Sequence, residues 1–302
     1  NLVPGDGNGV DDVFLHDRDI DGNGVFDEPG GIETRRISSP TGGGDGNAPS
    51  FSPSISADGR RVVFQSEASN LVAGDANAAS DVFLYDLGSD ALQRVSLADD
   101  GSEANGDSGS PSIDADGNLV AFESDASNLV TDDHNQVTDV FLRVLGLERT
   151  TRVSVASDGS EGNGPSGAPS VANDGSTEVI AFVSSASNLV PQDDNGWPDV
   201  FVRLDQLRVT LRVQGDSEPD SHSAQPRLGR GAHTLAFSST ASNLVGGDRN
   251  SVRDVFVGQP GEPPRRASLL DGSRAEINAS SFSGGAHGDF VVFTTSGDAA
   301  GI

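Results

Sequence analysis

Short apolar runs, bounded by Gly, Asp, Asn, Ser and Pro, recur along the whole chain, as in Val62-Val63-Phe64 and Val82-Phe83-Leu84. They are rich in β-branched and aromatic residues and too short for an amphipathic helix, so they predict β-strands. Asp58-Gly59, Asp116-Gly117 and Asp174-Gly175 stand between consecutive runs. A tight hairpin needs a residue that accepts positive φ there.

The runs repeat with a long period. Asn-Leu-Val recurs at Asn1, Asn70, Asn128, Asn188 and Asn243, with periods of 69, 58, 60 and 55 residues. Each copy continues through an Asp-x-Asn-x3-Asp loop into Val-Phe, then an Arg-apolar pair such as Arg94-Val95 or Arg152-Val153. A Gly/Ser/Asp-rich turn leads to Pro-Ser-Ile or a variant (Pro53, Pro111, Pro169 and Pro226, with Ser280 departing). An apolar run follows, closed by Phe64, Phe122, Phe182, Phe237 or Phe293. Four short strands per period predict an all-β, five-bladed β-propeller with four antiparallel strands per blade, one domain over residues 1–302. A blade cannot bury both faces alone, so the in-phase Phe residues are expected to pack blade on blade. An open β-solenoid is the alternative, and it favours shorter periods.

Five whole periods predict a ring closed by strands from both termini. The runs Asp12 to Leu15 and Arg36 to Ser38 would complete a blade begun by Ser281 to Ser283 and Phe290 to Thr294. Closure of that kind removes free sheet edges.

The stretch from Pro53 to Phe64, with the following Ala-Ser-Asn-Leu-Val and Asp81 to Asp86, resembles the TolB-type, WD-like β-propeller repeat of bacteria. The resemblance covers nearly the whole chain. It implies a periplasmic, cell-surface or extracellular location and a role as an interaction platform. Some relatives carry lyase or peptidase chemistry on added residues or domains. Gly229-Arg230-Gly231 and Gly284-Gly285 depart from the Asp-Gly turn, so those hairpins are expected to differ in length.

Composition narrows the partners. The net charge is −27, every one of the 19 cations is Arg, and such a chain repels nucleic acid and anionic membrane. A hydrophobic fraction of 34% with 38 Gly argues against membrane insertion. With no Cys there are no disulfides and no thiolate chemistry. The chain reads as a trimmed mature segment, lacking an initiator Met and a signal peptide.

The strongest local motif spans residues 17–28 and resembles an EF-hand calcium loop. Calcium takes six to eight oxygens: Asp17, Asp19 and Asp21 would supply carboxylates, Asn23 its carbonyl and Glu28 a bidentate carboxylate, with Gly22 at the sharp turn. The flanks lack helical periodicity, which predicts a calcium loop inside a hairpin. A solvated acidic loop is the metal-free alternative. The repeated loops are Asp6, Asn8, Asp12; Asp75, Asn77, Asp81; Asp133, Asn135, Asp139; Asp193, Asn195, Asp199; and Asp248, Asn250, Asp254. Two readings fit them: a calcium site at the entrance to each Val-Phe strand, or metal-free Asx turns.

Enzyme signatures are poor. His16, His134, His222, His233 and His287 fall at unrelated phases of the repeat, and there is no Gly-x-Ser-x-Gly elbow or phosphate loop. Arg227 replaces the Ser that follows Pro in three other repeats (Ser54, Ser112, Ser170). It either faces a central channel, offering a cation to an anionic ligand, or pairs with a neighbouring acid. Trp197 is either a stacking platform or a local packing residue. The sequence therefore favours a non-catalytic, calcium-stabilised binding or assembly module with a protein or surface-glycan partner. The alternative is a polysaccharide-active or peptidase-like enzyme working at the channel mouth.

Overall fold

The computed structural model describes residues 2–248, 252–268, 279–281, 286–287 and 290–295. Blade one is a two-stranded sheet, β1 (Phe14–Asp17) with β2 (Glu33–Arg36). Blade two is β3 (Ser50–Ile55), β4 (Arg61–Ser66), β5 (Asp81–Asp86) and β6 (Ala91–Arg94). Blade three is β7 (Ser108–Ile113), β8 (Leu119–Ser124), β9 (Asp139–Val144) and β10 (Arg149–Arg152). Blade four is β11 (Ser166–Asn173), β12 (Glu178–Ser184), β13 (Asp199–Leu204) and β14 (Val209–Arg212). Blade five is β15 (Ser223–Leu228), β16 (Leu235–Ser239), β17 (Asp254–Gly258) and β18 (Arg265–Arg266). Each four-stranded sheet is an antiparallel meander in sequence order.

The blades stack so that both faces of a central strand are covered. In β5, β9 and β13 the first five residues are all buried, the pattern of a strand covered on both sides. The core lies between blades. Val63, Val82 and Leu84 of blade two pack against Phe122, Phe141 and Leu129 of the next repeat. Ala121, Val140 and Leu142 then meet Phe182, Phe201 and Leu189. Thus small aliphatic residues on one face receive the Phe pair of the following blade. Within blades two to five that pair is stacked, with centroids 5.9 Å apart for Phe64 and Phe83 and 5.8 Å for Phe182 and Phe201.

Two backbone devices set the geometry of the inner strands. The Ser50, Ser108, Ser166 and Ser223 N–H groups donate to Asp11, Ser80, Thr138 and Pro198 carbonyls of the preceding blade at 2.8–2.9 Å. The residues before the inner prolines, Ser52, Ser110, Ala168 and Gln225, hold φ of 54°, 48°, 50° and 55°. Each lies at a β-bulge where the pairing shifts register. A left-handed residue before proline is costly, and its recurrence shows a bend that every inner strand needs.

The expected ring closure is not formed among the described residues. β1 pairs with β2 alone. β19 (Ala279–Ser281) pairs with β22 (Thr294–Thr295), and β20 (Ala286–His287) with β21 (Phe290–Val291). The last repeat has lost the inner proline at Ser280 and the Asp-Gly turn at Gly284-Gly285. The described strands of this repeat pair with one another. Among the described residues, no helix is long and apolar enough to cross a membrane.

Candidate functional site

The repeated acidic loops converge on arginine. In blade three, Arg152 Nη1 lies 3.2 Å from Asp133, 3.5 Å from Asp139 and 2.8 Å from Glu161. Its Nη2 donates to the Asp132 carbonyl at 2.8 Å. The same geometry recurs at Arg36 with Asp6, Asp12 and Asp45, and at Arg94 with Asp75, Asp81 and Glu103. It recurs again at Arg212 with Asp193, Asp199 and Glu218. In blade five Arg266 meets Asp248 and Asp254, while Asn250 lies outside the described residues. A guanidinium thus sits between the two aspartates of every loop; Arg94, Arg152, Arg212 and Arg266 also donate to the carbonyl before the first aspartate, and Arg36 to that of Gly44, a fit that the planar fork of donors allows.

The loop asparagines turn their oxygens inward. Asn8, Asn77, Asn135 and Asn195 accept from the N–H two residues on at 2.8–3.3 Å, which is an Asx turn. Their amide nitrogens donate to Asp12, Asp81, Asp139 and Asp199 at 2.8–3.1 Å. A serine completes the cluster: Ser38, Ser96 and Ser154 donate to the second Asp at 2.6, 2.6 and 2.5 Å, and Ser268 does so to Asp254. The same hydroxyl accepts the N–H of the following Val. The Asn-Leu-Val asparagines Asn70, Asn128, Asn188 and Asn243 clamp the far side, donating to the carbonyls of Asp45, Glu103, Glu161 and Glu218.

Blade four lacks the serine, carrying Gln214 in its place. The Asp199 Oδ1 atom is buried without a hydrogen-bond partner, and burial pushes the Asp199 carboxyl up to about 7. Asp75, Asp133, Asp139 and Asp193 are raised for the same reason. A folded pKa above the unfolded one contributes stability that is complete below about pH 4 and lost as pH climbs through about 7. Gln214→Ser is expected to restore the donor, lower the Asp199 pKa and stabilise the protein above pH 7 by about 1 kcal/mol. Urea unfolding at pH 5 and pH 8 checks this; an unchanged pH dependence in the variant would remove the missing hydroxyl as the cause.

The insertion after β1 forms an exposed loop closed by Ile20 N–H to Gly31 O and Asp27 N–H to Arg18 O, both 2.9 Å. Gly22 and Gly24 hold φ of 67° and 83°, so the chain turns there without a Cβ penalty. Asp19 accepts from the N–H groups of Asn23 and Gly24 at 3.0 and 2.9 Å. The Asn23 amide donates to Asp21 at 2.9 Å and Glu28 at 2.6 Å, drawing those carboxylates together, while Asp17 caps the Asp19 N–H at 3.0 Å. Asp27 is paired with Arg18, which holds its carboxyl below the usual range. Among the described residues, no group of three or more His, Asp or Glu is gathered as a metal cluster.

The inner strands enclose a cavity of about 550 Å³ lined by their Pro, Ser and aliphatic residues and by Arg227. Arg227 is exposed to this space, and desolvation by the surrounding strands lowers its pKa. Its guanidinium donates to the Pro226 carbonyl at 2.9 Å. No described acid pairs with it. Trp197 packs edge-on against His222 with centroids 4.7 Å apart.

No protein-family model matches the sequence, and no curated protein matches it. The chain is similar in structure to TolB proteins. With TolB from Acinetobacter baumannii the identity is 13% and the TM-score 0.42, over 80% of this chain and 48% of that one. With a putative TolB from Agrobacterium tumefaciens they are 14% and 0.42, over 78% and 83%. Porphyromonas gingivalis dipeptidyl peptidase 4 gives 11% and 0.48, over 83% and 38%. The chain therefore spans about half the length of the first of these TolB proteins.

Proposed function

We propose that this protein is a non-catalytic β-propeller module for binding or assembly outside the cytoplasm, with a protein or surface-glycan partner. The observation that carries the reading is the commitment of the recurring polar residues to one another. Each Asp-x-Asn-x3-Asp loop is bound to an arginine of its own blade, so the repeat's charged chemistry goes into tying the loop to the outer strand within each blade. In that reading the arginine supplies the cation of the five repeated loops.

Calcium belongs to the insertion alone. Asp19, Asp21 and Glu28, drawn around Asn23, match the oxygen chemistry that calcium requires, with Asp17 beside them. When bound, the ion would neutralise these carboxylates and order the loop. The exposed position of the loop, away from the interblade cores, makes its effect local.

Purified protein incubated with polysaccharides and with peptides is expected to show no turnover. Turnover abolished by one substitution at the cavity would establish the enzyme reading instead.

A further inference from the structure

We propose that the central cavity binds a ligand carrying a single carboxylate on an apolar body, held by Arg227. The inference adds a ligand class to the binding-module reading and rests on it.

Serine hydroxyls and one guanidinium line the cavity together. Inner strands are tied in sequence by serine oxygens: Ser54 accepts the Ile113 N–H at 3.4 Å, Ser112 the Val171 N–H at 3.2 Å and Ser170 the Leu228 N–H at 2.9 Å. With each oxygen so used, the hydroxyl hydrogen has no acceptor among the described residues. Arg227 occupies the next position in this series and adds a guanidinium whose one described acceptor is its neighbour's carbonyl. In a chain with 46 acids, each of the five loop-binding arginines meets two or three carboxylates, whereas Arg227 has none described. A cation that lines an apolar-walled cavity, has no described carboxylate partner and stands beside serine hydroxyls is complemented by an anion.

The walls select which anion. Ile55, Ile113, Val171 and Leu228 stand between the polar groups, and Ile55 is 51% exposed. They suit an aliphatic body rather than a hydrated ion. One guanidinium inside a chain of net charge −27 neutralises one negative charge and no more, which disfavours phosphate and other polyanions. A carboxylate accepts two parallel bonds from the fork while its alkyl portion covers the aliphatic residues.

Hexanoate, hexanamide and inorganic phosphate serve as probes, read by shifts of the Ile113, Val171 and Leu228 amide resonances in the full chain. Hexanoate is expected to bind with Kd of about 1 mM, with hexanamide and phosphate each at least about tenfold weaker. Arg227→Gln is expected to lose about tenfold in hexanoate affinity, and Arg227→Lys to lose less. The hexanoate and hexanamide comparison needs no variant, so it stands whatever the substitutions do to folding. Absence of shifts at about 20 mM hexanoate, equal binding of the amide or of phosphate, or an unchanged affinity in a folded Arg227→Gln would each overturn the proposal. Those results would leave the non-catalytic reading standing, because turnover alone defeats that one.

Discussion

Arg152→Ala is expected to destabilise the protein by about 3–5 kcal/mol at neutral pH, the cost of removing one partner from a buried ion cluster. Arg152, Asp133 and Asp139 side chains are 4%, 4% and 0% exposed, so water cannot replace the lost guanidinium. Three carboxylates would then share one pocket and repel, pushing the already raised Asp133 and Asp139 carboxyls further up. The loss should therefore grow with pH and shrink towards pH 4, where protonation removes the repulsion. Asp139→Asn in the Arg152→Ala background should recover part of it. Urea unfolding of the two variants at pH 4 and pH 7 measures this. A loss below about 1 kcal/mol would mean that the cluster behaves as a surface ion pair.

The repeat made the strands legible. Asn-Leu-Val, the inner proline and the closing Phe recur in phase, and β3 to β18 fall on the runs that those residues mark. The Asp-Gly turns were equally plain, with Gly59, Gly117 and Gly175 at φ of 73°, 73° and 89°. Ring closure was read from the number of periods, but pairing depends on ladder length. The shortened strands beyond Ala279 do not reach β1 among the described residues.

The cluster chemistry was only half visible. The acids and the Arg-apolar pair are each plain as repeats, but their partnership is not, because Arg152 follows Asp139 by 13 positions and a whole hairpin must form to bring them together. Their constant spacing was the available signal: Asp81 and Arg94 are also 13 apart, and Asp12 and Arg36 are 24 apart because of the insertion. Ser38, Ser96, Ser154 and the third acids Asp45, Glu103 and Glu161 look in sequence like ordinary turn residues. The unpaired state of Arg227 needed coordinates, since a substitution in one repeat does not reveal whether an acid faces it.

Calcium at a hundredfold excess over Kd is expected to add about 2.7 kcal/mol to the stability of the insertion, because it binds the folded loop alone. Amide exchange of residues 18–31 should slow about a hundredfold, while the interblade strands exchange as before. Asp19→Ala should abolish the protection without changing the global unfolding transition. Protection spread over β5, β9 and β13 would mean that the repeated loops bind the ion.

Calorimetric titration of the calcium-free chain counts the sites, and so tests most directly whether arginine or calcium fills the repeated acidic loops. One equivalent of calcium, lost in Asp19→Ala, is the predicted result. Several equivalents, surviving Asp19→Ala and lost when Asp133 or Asp193 is replaced, would contradict it.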